Sequence, residues 1–147
     1  MKLKKIYLAI SYSGMVESSY KQANKASVLI LNKGLNVFSP ITHSHPLTLI
    51  DGYTIPHTWE YWQHIDYQFI DWCDEVWVLV PKEGMEFIKK STGVQAEIKY
   101  AKEHNKPVRF VTVINNELKD YEEESTPIQR RKIKMGISTL AINQPSS

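Results

Sequence analysis

A chain of 147 residues is long enough for one domain with a real core and too short for two ordinary ones. Hydrophobic residues at 42% and charged residues at 23% are ordinary for a soluble globular protein, and a net charge of +2 leaves no broad basic footprint for a long nucleic acid. No apolar run approaches the roughly 20 residues of a membrane span, and a lone Cys73 cannot form an internal disulfide, so the cytoplasm is the expected compartment.

The N-terminus is too short in its apolar run for a signal peptide and reads as a first strand, Ile6 to Ile10, ended by Ser11-Tyr12-Ser13-Gly14. Val16 to Asn32 has helical spacing at Tyr20, Ala23, Ser27 and Ile30, and Gly34 stops it. Leu35 to Ser39 is a second strand, so the opening third of the chain is a βαβ unit with a right-handed crossover. Pro40 to His57 shows no clear period and is expected to be a functional or mobile loop. Thr58 then caps a helix from Trp59 to about Trp72, whose core stripe reads as Trp62, Ile65, Phe69 and Trp72. Asp66 lies on the apolar side of that helix and Asp71 opposite. Cys73 reads as core packing.

Val76 to Val80 is a continuous apolar run, typical of a strand covered on both faces. Pro81 to Lys90 reads as irregular and charged. In Ser91 to Val108, S-T-G-V-Q-A-E-I-K-Y-A-K-E-H-N-K-P-V, Thr92 and Gln95 fit a capping box and Val94, Ile98 and Ala101 form an apolar face. Glu97 sits at the edge of that face, is not needed as a cap, and follows a turn whose N–H groups suit an anion. Val108 to Val113 is a fourth strand. From Asn115 the composition changes to an acidic cluster (Glu117, Asp120, Glu122, Glu123, Glu124) and then a basic one (Arg130, Arg131, Lys132, Lys134). These runs are expected to be solvated faces of a loosely docked appendage over residues 115–147, after an α/β domain over residues 1–114.

Strands alternating with helices indicate a doubly wound α/β domain of the flavodoxin-like or Rossmann-like kind: a parallel sheet of four to five strands with helices on both faces. Ligands of such folds bind beyond the carboxyl ends of the strands, where strand order reverses. That edge carries Ser11 to Gly14, Ser39 to Pro46, the segment from Pro81, and Ser91 to Gly93.

The pieces I-Y-L-A at residues 6–9, an aspartate in the helix before V-W-V-L-V, and S-T-G-V-Q-A-E-I-K-Y-A followed by K-P-V resemble the nucleoside 2-deoxyribosyltransferase superfamily over roughly residues 5–111. The pattern S-x-G-V-x-x-E is closer to the branch that acts on nucleoside 5′-monophosphates as N-glycoside hydrolases. S-P-I-T-H-S-H-P resembles a small bacterial and phage group in that superfamily without an assigned activity. The resemblance implies Glu97 as the nucleophile at the anomeric carbon, its ionised form favoured by the helix N-terminus, and Asp66 as the acid that contacts substrate or serves the departing base. It implies Ser91, Thr92 and Gly93 as the phosphate turn, with Ser11 beside it, and Tyr7, Ser11 and Tyr12 around the base or sugar. The transferases' Asp-Gly at the end of the third strand is replaced by Val80-Pro81-Lys82, which favours hydrolysis, or binding without turnover, over transfer.

Each of these residues also has an ordinary use. Glu97 suits any helix, Asp66 could pair with a neighbouring lysine, and Ser91 and Thr92 are common helix-start residues. His43 and His45 lack third and fourth ligands at usable spacing, so they read as loop packing or, for His45, substrate contact rather than metal ligands. Trp62, Trp72 and Trp77 read as core, whereas Trp59, at a helix start, is placed to stack on a base. The leading expectation is a nucleotide N-glycosidase or deoxyribosyltransferase without metal or organic cofactor, binding a small nucleotide or nucleoside and neither long nucleic acid nor membrane. The resemblance leaves room for a homo-oligomer, since related pockets are often completed by a second subunit. The alternatives are a module that binds a nucleotide or nucleotide-derived signal without cleaving it and, more weakly, an interaction protein using the charged tail. The geometric expectation is that Glu97 and Asp66 face one cleft with Ser91 at its rim.

Overall fold

In the computed structural model, which describes residues 1–123, five strands form one sheet: β1 (Lys5–Ala9), β2 (Asn36–Phe38), β3 (Glu75–Leu79), β4 (Val108–Ile114) and β5 (Glu117–Asp120). Their order is β2-β1-β3-β4-β5, with the first four parallel and β5 antiparallel to β4. The helices are α1 (Val16–Asn32), α2 (Pro40–Ser44), α3 (Trp59–Trp72), α4 (Met85–Lys90) and α5 (Thr92–Glu103), and a 3₁₀ turn covers His45–Leu49. This is the doubly wound α/β architecture expected from the alternation of elements. None of the described helices is long and apolar enough to cross a membrane.

The central strands are apolar at successive positions because both their faces are covered. Ile6, Leu8, Trp77 and Leu79 point to one face, where they meet Ala23, Ala26 and Ile30 of α1. Tyr7, Ala9, Val76 and Val78 point to the other, against Ile70 of α3 and Val94, Ile98 and Ala101 of α5. At the end of α1, Gly34 takes φ +80, its N–H donates to Leu31 O and that of Leu35 to Ile30 O. This double closure needs a left-handed residue and aims the chain into β2. Asn105 (φ 58) performs the same service after α5.

Several elements differ from the sequence reading. The expected loop from Pro40 to His57 begins with α2 and the 3₁₀ turn, because the Ser39 side chain caps Thr42 N and Pro40 takes the first helical position. The segment from Pro81 contains α4. The expected appendage starts instead with a strand: Asn115 and Asn116, at φ 52 and 60, make a two-residue hairpin turn that lays β5 along β4. The sheet domain therefore extends past residue 114 to Asp120, and Leu118 packs on the α1-side core. The basic cluster from Arg130, with Glu124, lies outside the described residues.

The buried stripe of α3 is Asp66, Ile70 and, at its end, Cys73, rather than Trp62, Ile65, Phe69 and Trp72. Trp72 is 49% exposed, with the Lys5 ammonium 5.2 Å from its ring. Thr58 takes the N-cap position of α3 without a side-chain cap bond. Ile70→Ala is expected to cost about 2–5 kcal/mol in urea unfolding, and Trp72→Ala about 1 kcal/mol or less. The reverse ranking would show that the helix is turned as the hydrophobic pattern first suggested.

Candidate functional site

The chain leaves β1 toward α1 on one face and leaves β3 toward α4 and α5 on the other. Because β1 and β3 are neighbours, their outgoing loops part and leave a crevice at the carboxyl edge of the sheet. A cavity of about 480 Å³ occupies it, floored by Ala9 and Ile10. Its walls come from the loop after β1, from α2 after β2, from the start of α3, and from the α4–α5 junction.

Two carboxyl groups project into this cavity from different helices, Asp66 of α3 and Glu97 of α5. They are 7% and 5% exposed. Both stand where their helices otherwise carry apolar residues: Asp66 four before Ile70, and Glu97 between Val94 and Ala101. The packing of α3 against α5 brings them together. Outside the cavity the same two helices are clamped by Tyr67 and Tyr100, whose rings stack at 4.0 Å, and by a hydrogen bond of 2.8 Å from the Tyr100 hydroxyl to Asp71 Oδ1. Asp71, on the opposite side of α3 from Asp66, thus has a structural use.

Beneath the pair, the Tyr7 hydroxyl donates a hydrogen bond to Glu97 Oε2. Tyr7 is fully buried in β1. Burial pushes the Glu97 carboxyl up to about 8, helped by the nearby Asp66 charge and opposed by the Tyr7 hydroxyl. Burial likewise pushes Asp66 up to about 7, again opposed by Tyr7. Tyr7 itself is driven well above its usual range by burial and by the two carboxylates. Both carboxyls are therefore held protonated to higher pH than free acids, Glu97 more strongly than Asp66. The ionised Glu97 expected from the helix N-terminus is not what the surroundings favour. Glu97 lies in the second turn of α5, beyond the reach of the free N–H groups, and desolvation dominates.

At the rim, Ser91 is the N-cap of α5, its hydroxyl accepting from Val94 N at 3.2 Å. The expected capping box of Thr92 and Gln95 is not formed, because Gln95 Nε2 donates to Ile88 O instead. With Val94 N satisfied, the N–H groups of Thr92 and Gly93 are the donors of the first turn without a partner among the described residues. Lys90 stands beside them on the cavity wall without an acidic partner among the described residues. Two free amides, the Thr92 hydroxyl and one ammonium make this end receptive to an anion. Gly93 has a further use: a Cβ there would meet the Trp59 ring at 3.4 Å.

Of the residues singled out from sequence, Asp66, Glu97, Ser11, Tyr12, Trp59, Ser91, Thr92 and Gly93 line the cavity. Tyr7 and His45 do not. Tyr7 contacts the carboxylates from below, and His45 stands behind Tyr12. Ser11 is buried, with its hydroxyl turned to Met15 Sδ at 3.6 Å rather than toward the anion turn. Trp62, read as core, lines the cavity with its indole N–H donating to Pro56 O at 2.9 Å. Lys90, Tyr53, His57 and Phe87 were not anticipated. Lys90 had a readable signal, a cation immediately before the S-T-G turn. The other three are brought in by segments without periodicity.

The fold and cavity define an α/β protein with a buried carboxyl pair at its topological switch point. A family model described as a domain of unknown function, DUF1937, matches residues 4–113, and the chain belongs to that family. The match runs from β1 into β4 and includes every residue of the cavity. No curated protein matches the chain.

The buried acid makes stability depend on pH in a defined direction. Unfolded, a glutamate gives up its proton at about 4.5, whereas folded Glu97 keeps it to about 8. Between these values the folded state binds the extra proton, so the contribution is fully present below the window and is lost as pH rises through it. Glu97→Gln is expected to flatten the dependence between pH 5 and pH 8.5 and to gain about 2–4 kcal/mol at the upper end. Urea unfolding at the two pH values checks this; equal destabilisation by Glu97→Gln at both would contradict it.

Proposed function

We propose that the chain is an N-glycoside hydrolase acting on a nucleoside 5′-monophosphate or a related nucleotide. The observation that carries this reading is the convergence of Asp66 and Glu97, from two helices, on one cavity whose rim is receptive to an anion. The resemblance of the S-T-G-V-Q-A-E stretch to the monophosphate branch of the nucleoside deoxyribosyltransferase superfamily supports it.

The pair supplies a nucleophile and an acid from one shared proton. In the free site Glu97 is the member that favours its proton, so attack requires the bound substrate to move that proton to Asp66 and leave the charge on Glu97, where the Tyr7 hydroxyl donates to it. Glu97 attacks C1′ as the C1′–N bond breaks, and Asp66 gives its proton to the departing base. Water then cleaves the glycosyl ester, its proton passing to Asp66 and restoring Glu97 as carboxylate. The phosphate rests on the Thr92 and Gly93 amides with Lys90, and Trp59 offers a face on which a base stacks. No step requires a metal or organic cofactor. The work is assigned to the cytoplasm, where a lone buried Cys73, its thiol pushed up to about 12 by burial, serves as packing.

A second reading, capture of a nucleotide without cleavage, is favoured by the upward shift at Glu97, since a protonated carboxyl is no nucleophile. Incubation with a panel of ribo- and deoxyribonucleoside monophosphates, read by chromatography for free base, separates the two. The hydrolase reading expects base release that falls at least about 1000-fold in Glu97→Gln and about 100-fold in Asp66→Asn. Tyr7→Phe is expected to lower kcat more than it changes KM. Saturable binding with no base released from any nucleotide would sink the hydrolase reading in favour of the binding module.

A further inference from the structure

Tyr12, in the loop after β1, is half-buried on the cavity wall. Its hydroxyl lies 2.7 Å from Nδ1 of His45, and the other ring nitrogen of His45 lies 3.2 Å from Glu17 Oε1. His45 is 4% exposed. Tyr20 of α1 packs on its ring at 4.4 Å, and the Tyr12 ring meets it edge-on at 5.9 Å. Three separate segments thus build a file of hydrogen bonds, from a cavity residue through a buried imidazole to a surface carboxylate. Neither His45 nor Glu17 reaches the cavity.

The chemistry of the file fixes its polarity. A neutral imidazole has one N–H and one bare nitrogen, and a carboxylate can only accept. Glu17 therefore draws the proton to Nε2, which leaves Nδ1 bare. The Tyr12 hydroxyl then donates to Nδ1, and its oxygen has only lone pairs for anything else. We propose that His45 and Glu17 are positioning residues that hold Tyr12 as a hydrogen-bond acceptor toward the cavity, making Tyr12 a specificity-determining residue for ligands with an O–H or N–H at that point. A carbonyl, ether or phosphate oxygen there would face lone pair against lone pair and be rejected. On a nucleoside monophosphate, the groups that qualify are the sugar hydroxyls, an exocyclic amine and a ring N–H such as that of guanine or uracil. This inference rests on the cavity being the nucleotide site proposed above.

The tautomer can be read without a ligand or turnover. Long-range proton–nitrogen NMR of ¹⁵N-histidine-labelled protein at pH 8.5, with His45 assigned by the signal lost in His45→Gln, is expected to show a proton on Nε2 and a bare Nδ1. A proton on Nδ1, alone or together with one on Nε2, overturns the proposal whether or not the protein is a hydrolase. Recognition is tested by calorimetric titration of adenosine 5′-monophosphate and its 2′-deoxy, 3′-deoxy and 6-desamino analogues, in the Glu97→Gln background to prevent turnover. Loss of one donor is expected to weaken binding about tenfold or more, and by no more than about twofold once Tyr12→Phe is added. Unchanged discrimination in Tyr12→Phe overturns the proposal. If none of the four binds, the same donor-deletion series is run on whichever monophosphate binds or releases base in the panel above; if no monophosphate does either, the nucleotide reading fails and the specificity assigned to Tyr12 falls with it.

Discussion

Two carboxyl groups held out of water beside one phenol are the constraint on which the rest of this molecule depends. Burying an isolated carboxylate is unfavourable by several kcal/mol. The fold meets the difficulty by keeping Asp66 and Glu97 protonated into the neutral range and by placing the Tyr7 hydroxyl, itself fully buried, against Glu97. Each partner comes from a different element, β1, α3 and α5. The triad exists only when the sheet and both helices are in register, so the chemistry of the site and the packing of one face of the sheet are the same problem. The outer clamp of Tyr67, Tyr100 and Asp71 acts on that register without touching the cavity.

The two faces of the sheet divide the labour. The α1 side is conventional core, with Ala23, Ala26 and Ile30 laid over Ile6 and Leu8. The other side interrupts its apolar stripes with acids at the cavity. Between them, the parting of the loops after β1 and β3 opens the crevice, and short elements frame it: α2 is started by Ser39 and Pro40, and α4 ends at Lys90 against the cap of α5. The aromatic wall and the receptive helix start stand at different parts of one cavity, which suits a ligand with a flat apolar end and an anionic one.

Much of the architecture was legible because α1 and α5 are long and periodic and β1 and β3 are continuous apolar runs. Glu97 was legible for the same reason, as an acid on an apolar face that capping did not need. The acids also misled. With Asp66 on the buried stripe of α3, the aromatic positions Trp62, Phe69 and Trp72 outscore the true stripe, so the helix reads as turned although Asp66 itself is noticed. The helices α2 and α4 are five and six residues long, too short for a period to show. The charged strand β5 hides in an acidic run, and only Asn115-Asn116 announces the hairpin. The burial of His45 against Tyr12 and Tyr20 is purely tertiary, and no local pattern encodes it.

Gly93 was read from the sequence as part of the phosphate turn, and the heavy atoms that a Cβ there would touch belong to the indole of Trp59. The aromatic wall is thus seated on bare backbone at the start of α5, and the same residue presents one of the free amides. The span from wall to anion turn is therefore set by the packing of the Trp59 ring of α3 against the start of α5. Such a cavity behaves as a gauge: it favours molecules by the distance between their flat end and their charge.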